Sequence, residues 1–66
     1  MIAIVTPNRD EKFKSKLKAL YGKDVKFIHA SGQIDNIRGM IFNKVYRFGT
    51  VNLKSYEELI LVMRTS

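Results

Sequence analysis

Sixty-six residues make one domain at most, and a chain this short buries only roughly 60% of its unfolded surface. With no cysteine, disulfides and Cys-based zinc sites are excluded, and the lone His29 has no carboxylate at a helical ligand spacing with which to hold a metal. Twelve Lys and Arg against six acids give a formal charge of +6, which favours nucleic acid, an anionic surface or an acidic protein as partner, and which equally serves solubility alone.

The chain opens on Met-Ile-Ala-Ile-Val, residues 1–5. This run is too short for a bilayer span, which needs roughly 20 apolar residues, and it lacks the basic flank of a signal peptide. The expectation is a soluble, cytoplasmic protein with no membrane partner. Because the run has no polar alternation, both of its faces should be covered. It reads as the central strand of a small parallel sheet.

Thr6-Pro7-Asn8 ends that strand. Asn8 with Glu11 makes a capping-box pattern, and Thr6 before Pro7 is a competing cap. Asp10 and Glu11 complement the positive end of the helix dipole. The helix runs to about residue 21, with Phe13, Leu17, Leu20 and Tyr21 as its inward stripe. Gly22 suits the C-cap. Lys12 and Lys16 flank one side of the stripe, and Lys14 and Lys18 flank the other. Their stems either cover the core edge or straddle a phosphate backbone.

Residues 25–30 read as a second strand with one polar residue on each face, hence an edge strand. His29 at its end reads as a hydrogen-bonded strand-end histidine. Ser31 caps a short helix over about residues 32–38, with Ile34 and Ile37 inward, Asp35 near its start and Gly39 ending it. A third, semi-polar strand follows at about 44–48, with Lys44, Tyr46 and Phe48 on one face and Val45 and Arg47 on the other. Ser55 with Glu58 suggests a second capping box. The last helix should bury Tyr56, Leu59, Ile60 and Met63, leaving Leu61 and Val62 as a protein or homodimer contact.

Strand, helix, strand, helix, strand, helix is the signature of parallel strands joined by crossovers. The predicted fold is therefore an α/β three-layer mini-domain with βαβαβα connectivity. Its three-stranded parallel sheet has order 2-1-3, half of a doubly wound sheet.

In such sheets ligands lie beyond the strand carboxyl ends. Thr6, Asn8, Arg9, Ser31, Gly32, Gly49 and Thr50 would form an anion site there, with Pro7 and Gln33 beside them. Neither G-x-G-x-x-G nor G-x-x-x-x-G-K-[ST] is present. Nucleophilic catalysis needs a base and an orienting acid, and none stands ready for Ser31 and His29. Asp10, Glu11, Glu57 and Glu58 fall in helix first turns, and Asp24 and Asp35 suit a turn and a helix start. The chain reads as a non-enzyme without a cofactor.

The segment Asn36-Ile37-Arg38-Gly39-Met40-Ile41-Phe42-Asn43-Lys44-Val45-Tyr46 resembles the Arg-Gly-x-x-Phe-Asp-x-Val-Tyr stretch leading into the Walker B strand of helicase- and terminase-like ATPases. In those families the strand ends in Asp-Glu. Here Arg47, Phe48 and Gly49 stand in that place, so the resemblance implies a similar strand-and-turn geometry and argues against ATP hydrolysis. Ser31, Ile37-Arg38-Gly39, Val45-Tyr46 and Gly49 also match the outline of small α/β proteins of tailed bacteriophages. That resemblance implies a phage or prophage origin and a host cytoplasmic location.

The resulting expectation is a basic binding module, a phage regulator or inhibitor acting on nucleic acid or on a host nucleic-acid enzyme. Its basic face would be Arg9, Lys12, Lys14, Lys16 and Lys18, with Arg38, Lys44 and Arg47 as a second cluster. The alternatives are a protein–protein inhibitor or self-associating protein using Leu61, Val62 and a sheet edge, and a nucleotide or phosphate binder at the strand ends.

Overall fold

In the computed structural model, residues 1–37 and 39–65 are described, the side chains of Asp35 and Asn36 excepted. Strand β1 is Ile2–Val5, helix α1 Glu11–Tyr21, strand β2 Val25–Ile28, strand β3 Lys44–Arg47 and helix α2 Ser55–Met63. A 3-10 helix, Ser31–Ile37, links β2 to β3. The sheet has the order β2-β1-β3, and both pairings are parallel. The α/β mini-domain and its strand order are those predicted.

β1 is central because it is apolar on both faces. Ala3, Ile4 and Val5 have at most 1% of their surface exposed. Register pairs Ile4 with Phe27 and Tyr46, and Ala3 with Lys26 and Val45. Side chains alternate across a strand. Ile4, Phe27 and Tyr46 therefore share the face under α1, and Ala3, Val5, Ile28 and Val45 share the other.

The two sides are unequal. On the second face, Ala3, Val5 and Ile28 join Ile34 and Ile37 of the 3-10 helix, Phe42, and Leu61 of α2 in one buried cluster. On the α1 face, Leu17 is the helix's buried residue and packs over Ile4's side of the sheet. Aromatic pairs complete this thinner layer. Phe13 meets Phe48 edge-on at 6.0 Å, and Tyr21 stacks on Tyr46 at 4.7 Å.

Several local expectations are corrected. α1 begins at Glu11, and its N-cap is Asp10, whose carboxylate accepts from Lys12 N–H at 3.0 Å. Asn8 and Thr6 act one turn earlier. Thr6 Oγ1 accepts from Asn8 N–H and Asn8 Oδ1 accepts from Asp10 N–H, so each side chain closes the turn that leads to the cap. Leu20, placed in the inward stripe by periodicity, is 71% exposed.

The last helix is rotated from its predicted phase. Its cap is Lys54, and Glu57 Oε1 accepts from Lys54 N–H at 2.8 Å, so Ser55 and Glu58 do not form the box. Glu57 and Leu61 are buried, while Tyr56, Leu59 and Met63 are exposed. Leu61 belongs to the core and is not a contact residue. The physical reason is that α2 is apolar nearly all round, so spacing alone does not select the buried stripe. Glu57 turning in to cap the helix selects it. The chain then returns to the sheet, where Phe42 N–H donates to Arg64 C=O at 2.7 Å and Phe42 and Thr65 form a parallel bridge.

Candidate polyanion-binding face

Each acid whose side chain is described has a partner or a capping duty. Asp10 caps α1, and Glu11 lies 3.3 Å from Lys14 Nζ. Asp24 pairs with the N-terminal ammonium at 3.2 Å, and Glu57 caps α2. Glu58 takes both amino groups of the Arg47 guanidinium, at 3.1 and 2.7 Å. Lys14 and Arg47 are the cationic side chains that find acids among the described residues. Arg9, Lys12, Lys16 and Lys18 are exposed and have no acid partner there.

The predicted basic helix is thus present, and its two lysine rails differ. Lys14 and Lys18 lie over the Phe27 ring, with Nζ 5.6 and 6.0 Å from its centroid. Both take part in holding α1 on the sheet. Lys12 and Lys16 stand on the opposite flank with no such contact, and Arg9 precedes the cap. These three form the uncommitted cationic surface at α1; Lys23, Lys26, Lys44, Lys54 and Arg64 also have no acid partner among the described residues and lie outside it.

The second predicted cluster does not assemble as one. Lys44 shares the α1 face of β3 with Tyr46, whereas Arg47 points to the α2 face and is engaged by Glu58. Arg38 lies outside the described residues.

At the strand carboxyl ends the loops do converge. His29 Nδ1 is 3.0 Å from Thr6 C=O, so Nδ1 carries the proton of that bond and ties the end of β2 to β1. The His29 backbone N–H donates to Gln33 Oε1. The ring stacks on Phe27 at 5.9 Å, and its Nε2 is buried without a partner among the described residues. His29 is therefore the structural strand-end residue that the sequence suggests. A Cβ built on Gly49 would stand 3.2 Å from Pro7 Cδ, so these two residues close the gap between the β1 and β3 loops.

This convergence leaves little for an anion. Thr6, Asn8 and Asp10 spend their oxygens on backbone N–H groups, and the Asp10 carboxylate already occupies the N-terminus of α1. Ser31 is half-buried, and Gly32, Gly49 and Thr50 are exposed. No helix among the described residues is long and apolar enough to cross a membrane.

The Phe27 platform was not singled out from sequence. Its signal was the Lys14–Lys18 spacing of one helical turn, which becomes meaningful only once β2 is placed under that flank. Fold and surface together define a small α/β domain with a basic helical face. Comparison of the chain with protein-family models, curated proteins and solved structures finds no match.

Proposed function

We propose that this protein is a non-enzymatic module that binds nucleic acid on the outer face of α1. The observation that carries this reading is the division of charge. The described acids are consumed by caps and ion pairs, and Lys12 and Lys16 on the outer flank of α1, with Arg9 just before its cap, remain without an acid or ring partner among the described residues. A row of exposed cations without internal partners keeps its counterions until a polyanion displaces them. The resemblance to small phage proteins extends the proposal to a phage-encoded regulator working in the host cytoplasm. The strand-end nucleotide site is less favoured, because its polar side chains already hold the loop.

The test is binding to labelled single- and double-stranded DNA and RNA across a salt series. With three or four phosphates neutralised, log K should fall against log salt with a slope of about −3 to −4 on duplex DNA. Lys12→Gln with Lys16→Gln should flatten that slope by about 2 without lowering the thermal midpoint, since it relieves a like-charge pair. Lys14 and Lys18 are poorer probes, since removing them also strips Phe27. Absence of binding at low salt, or a slope unchanged in the double variant, refutes the assignment.

A further inference from the structure

Beside the uncommitted lysines the sheet presents aromatic rings. Lys14 and Lys18 stand over β2, so Lys12 and Lys16, on the other flank of α1, lie towards β3 at the opposite margin of the sheet. Lys44 and Tyr46 share the α1 face of β3. The ladder runs one bond past that strand, with Phe48 N–H donating to Val5 C=O at 2.9 Å, and the Phe48 ring meets Phe13 of α1. Tyr46 and Phe48 are half-buried, whereas Lys12, Lys16 and Lys44 are exposed and have no acid partner among the described residues. The hydroxyls of Tyr21 and Tyr46 have no hydrogen-bond partner there and are not buried, so this stacked pair keeps a wet margin.

We propose, building on the nucleic-acid reading of α1, that the ligand is a single strand whose bases stack along the Tyr46–Phe48 margin while its phosphates follow Lys12, Lys16 and Lys44. Single strands are held by a cationic track running beside aromatic side chains, because every base has a π-face to offer. In a duplex those faces are covered by neighbouring bases, and a protein meets only phosphates, sugars and groove edges. The lysines would serve either form, but the rings serve the single strand alone. α1 is also poorly equipped to read a groove. Its residues include no Arg, Asn or Gln, the side chains that make most two-pronged contacts with base edges.

The spacing agrees. Phe13, near the start of α1, meets Phe48 beyond the end of β3, and Tyr21, at the end of α1, meets Tyr46, so helix and strand run antiparallel side by side. Lys12 and Lys16 are separated by about 6 Å along the helix axis. Tyr46 and Phe48 are separated by about 6.6 Å along the strand. Both intervals are close to twice the roughly 3.4 Å rise per nucleotide of a duplex strand. A strand drawn out to that length has its bases pulled apart, each free to take a ring. Lys44, beyond Tyr46, extends the track from α1 onto β3.

Three ligands of about 12 nucleotides, within the site size of one small domain, make the test: a thymidine strand, a duplex, and an abasic strand that keeps the phosphates and lacks the bases. At equal salt the thymidine strand should bind at least tenfold tighter than either of the others. Its binding should quench tyrosine fluorescence, and the abasic strand should not. Tyr46→Leu, which keeps an apolar side chain and removes the ring, should weaken the thymidine strand at least fivefold. Equal affinity for the thymidine and abasic strands, a duplex held as tightly as the single strand, absent quenching, or a folded Tyr46→Leu that binds like the parent each overturns the stacking assignment and leaves the cationic face standing. Binding of none of the three at low salt removes both. If Tyr46→Leu does not fold, the thymidine and abasic strands compared on the unmodified chain decide it.

Discussion

Truncating Leu61 and Leu59 in parallel tests the phase of α2. Leu61 is 1% exposed and packs in the cluster with Ala3, Val5, Ile28, Ile34, Ile37 and Phe42. Leu59, two residues away, is 59% exposed. A buried Leu→Ala change costs about 2–5 kcal/mol, from lost transfer energy plus the cavity. A domain of this length has a total of only about 3–10 kcal/mol. Leu61→Ala should therefore consume a large share of the stability, and a loss of about 3 kcal/mol would lower the thermal midpoint by roughly 12–24 °C. Leu59→Ala should stay within about 0.5 kcal/mol of the parent, as surface changes do. Urea titrations followed by circular dichroism measure both through the midpoint at constant slope. Equal effects, or a larger loss at Leu59, would show that the helix packs in the phase periodicity suggests and would refute the observed one.

Two other sites give sharp expectations. Gly49 has φ of +91° and would set a Cβ against Pro7, and Gly22, at φ of +95° and ψ of 176°, holds a backbone conformation essentially reserved for glycine, so Gly49→Ala and Gly22→Ala should each cost about 2 kcal/mol by urea titration. Glu57→Ala removes the side chain that accepts from Lys54 N–H, and should lower stability by about 1 kcal/mol and reduce helical ellipticity.

The topology was legible because its signals are chemical and local. An apolar run without alternation implies a covered central strand, and two semi-polar strands imply edges. Both follow from which groups tolerate water. The caps were less legible, because Thr6, Asn8 and Asp10 are all competent N-cap residues in sequence. They act in series, each closing the turn before the next, and only the backbone path tells which one stands at the helix. The phase of α2 was illegible for a related reason. Tyr56, Leu59, Ile60, Leu61, Val62 and Met63 are interchangeable on hydrophobicity, and the burial of a single carboxylate, Glu57, decides among them. The candidate site shows the same division. Its lysines are plain in the sequence, but their split into a committed and a free rail depends on Phe27 lying beneath one flank, a contact across separate elements.

That split also explains how α1 tolerates so much like charge. Lys12 with Lys16, and Lys14 with Lys18, are like-charge pairs one turn apart, each destabilising an isolated helix by about 0.2–0.5 kcal/mol. On the β2 flank the fold supplies compensation, because Glu11 meets Lys14 and the Phe27 ring faces both ammonium groups. On the other flank it supplies none among the described residues. The layer beneath α1 is thin, with Ile4 and Leu17 as its buried aliphatics and half-buried aromatics at its rim, so there is little surplus packing to absorb the repulsion. Solution counterions therefore do the screening along Lys12 and Lys16. A phosphate backbone would replace them and relieve the same repulsion. The rail that contributes least to the fold is thus the one with most to gain from a polyanion, which is why the proposed site rests on it and not on the lysines closest to the core.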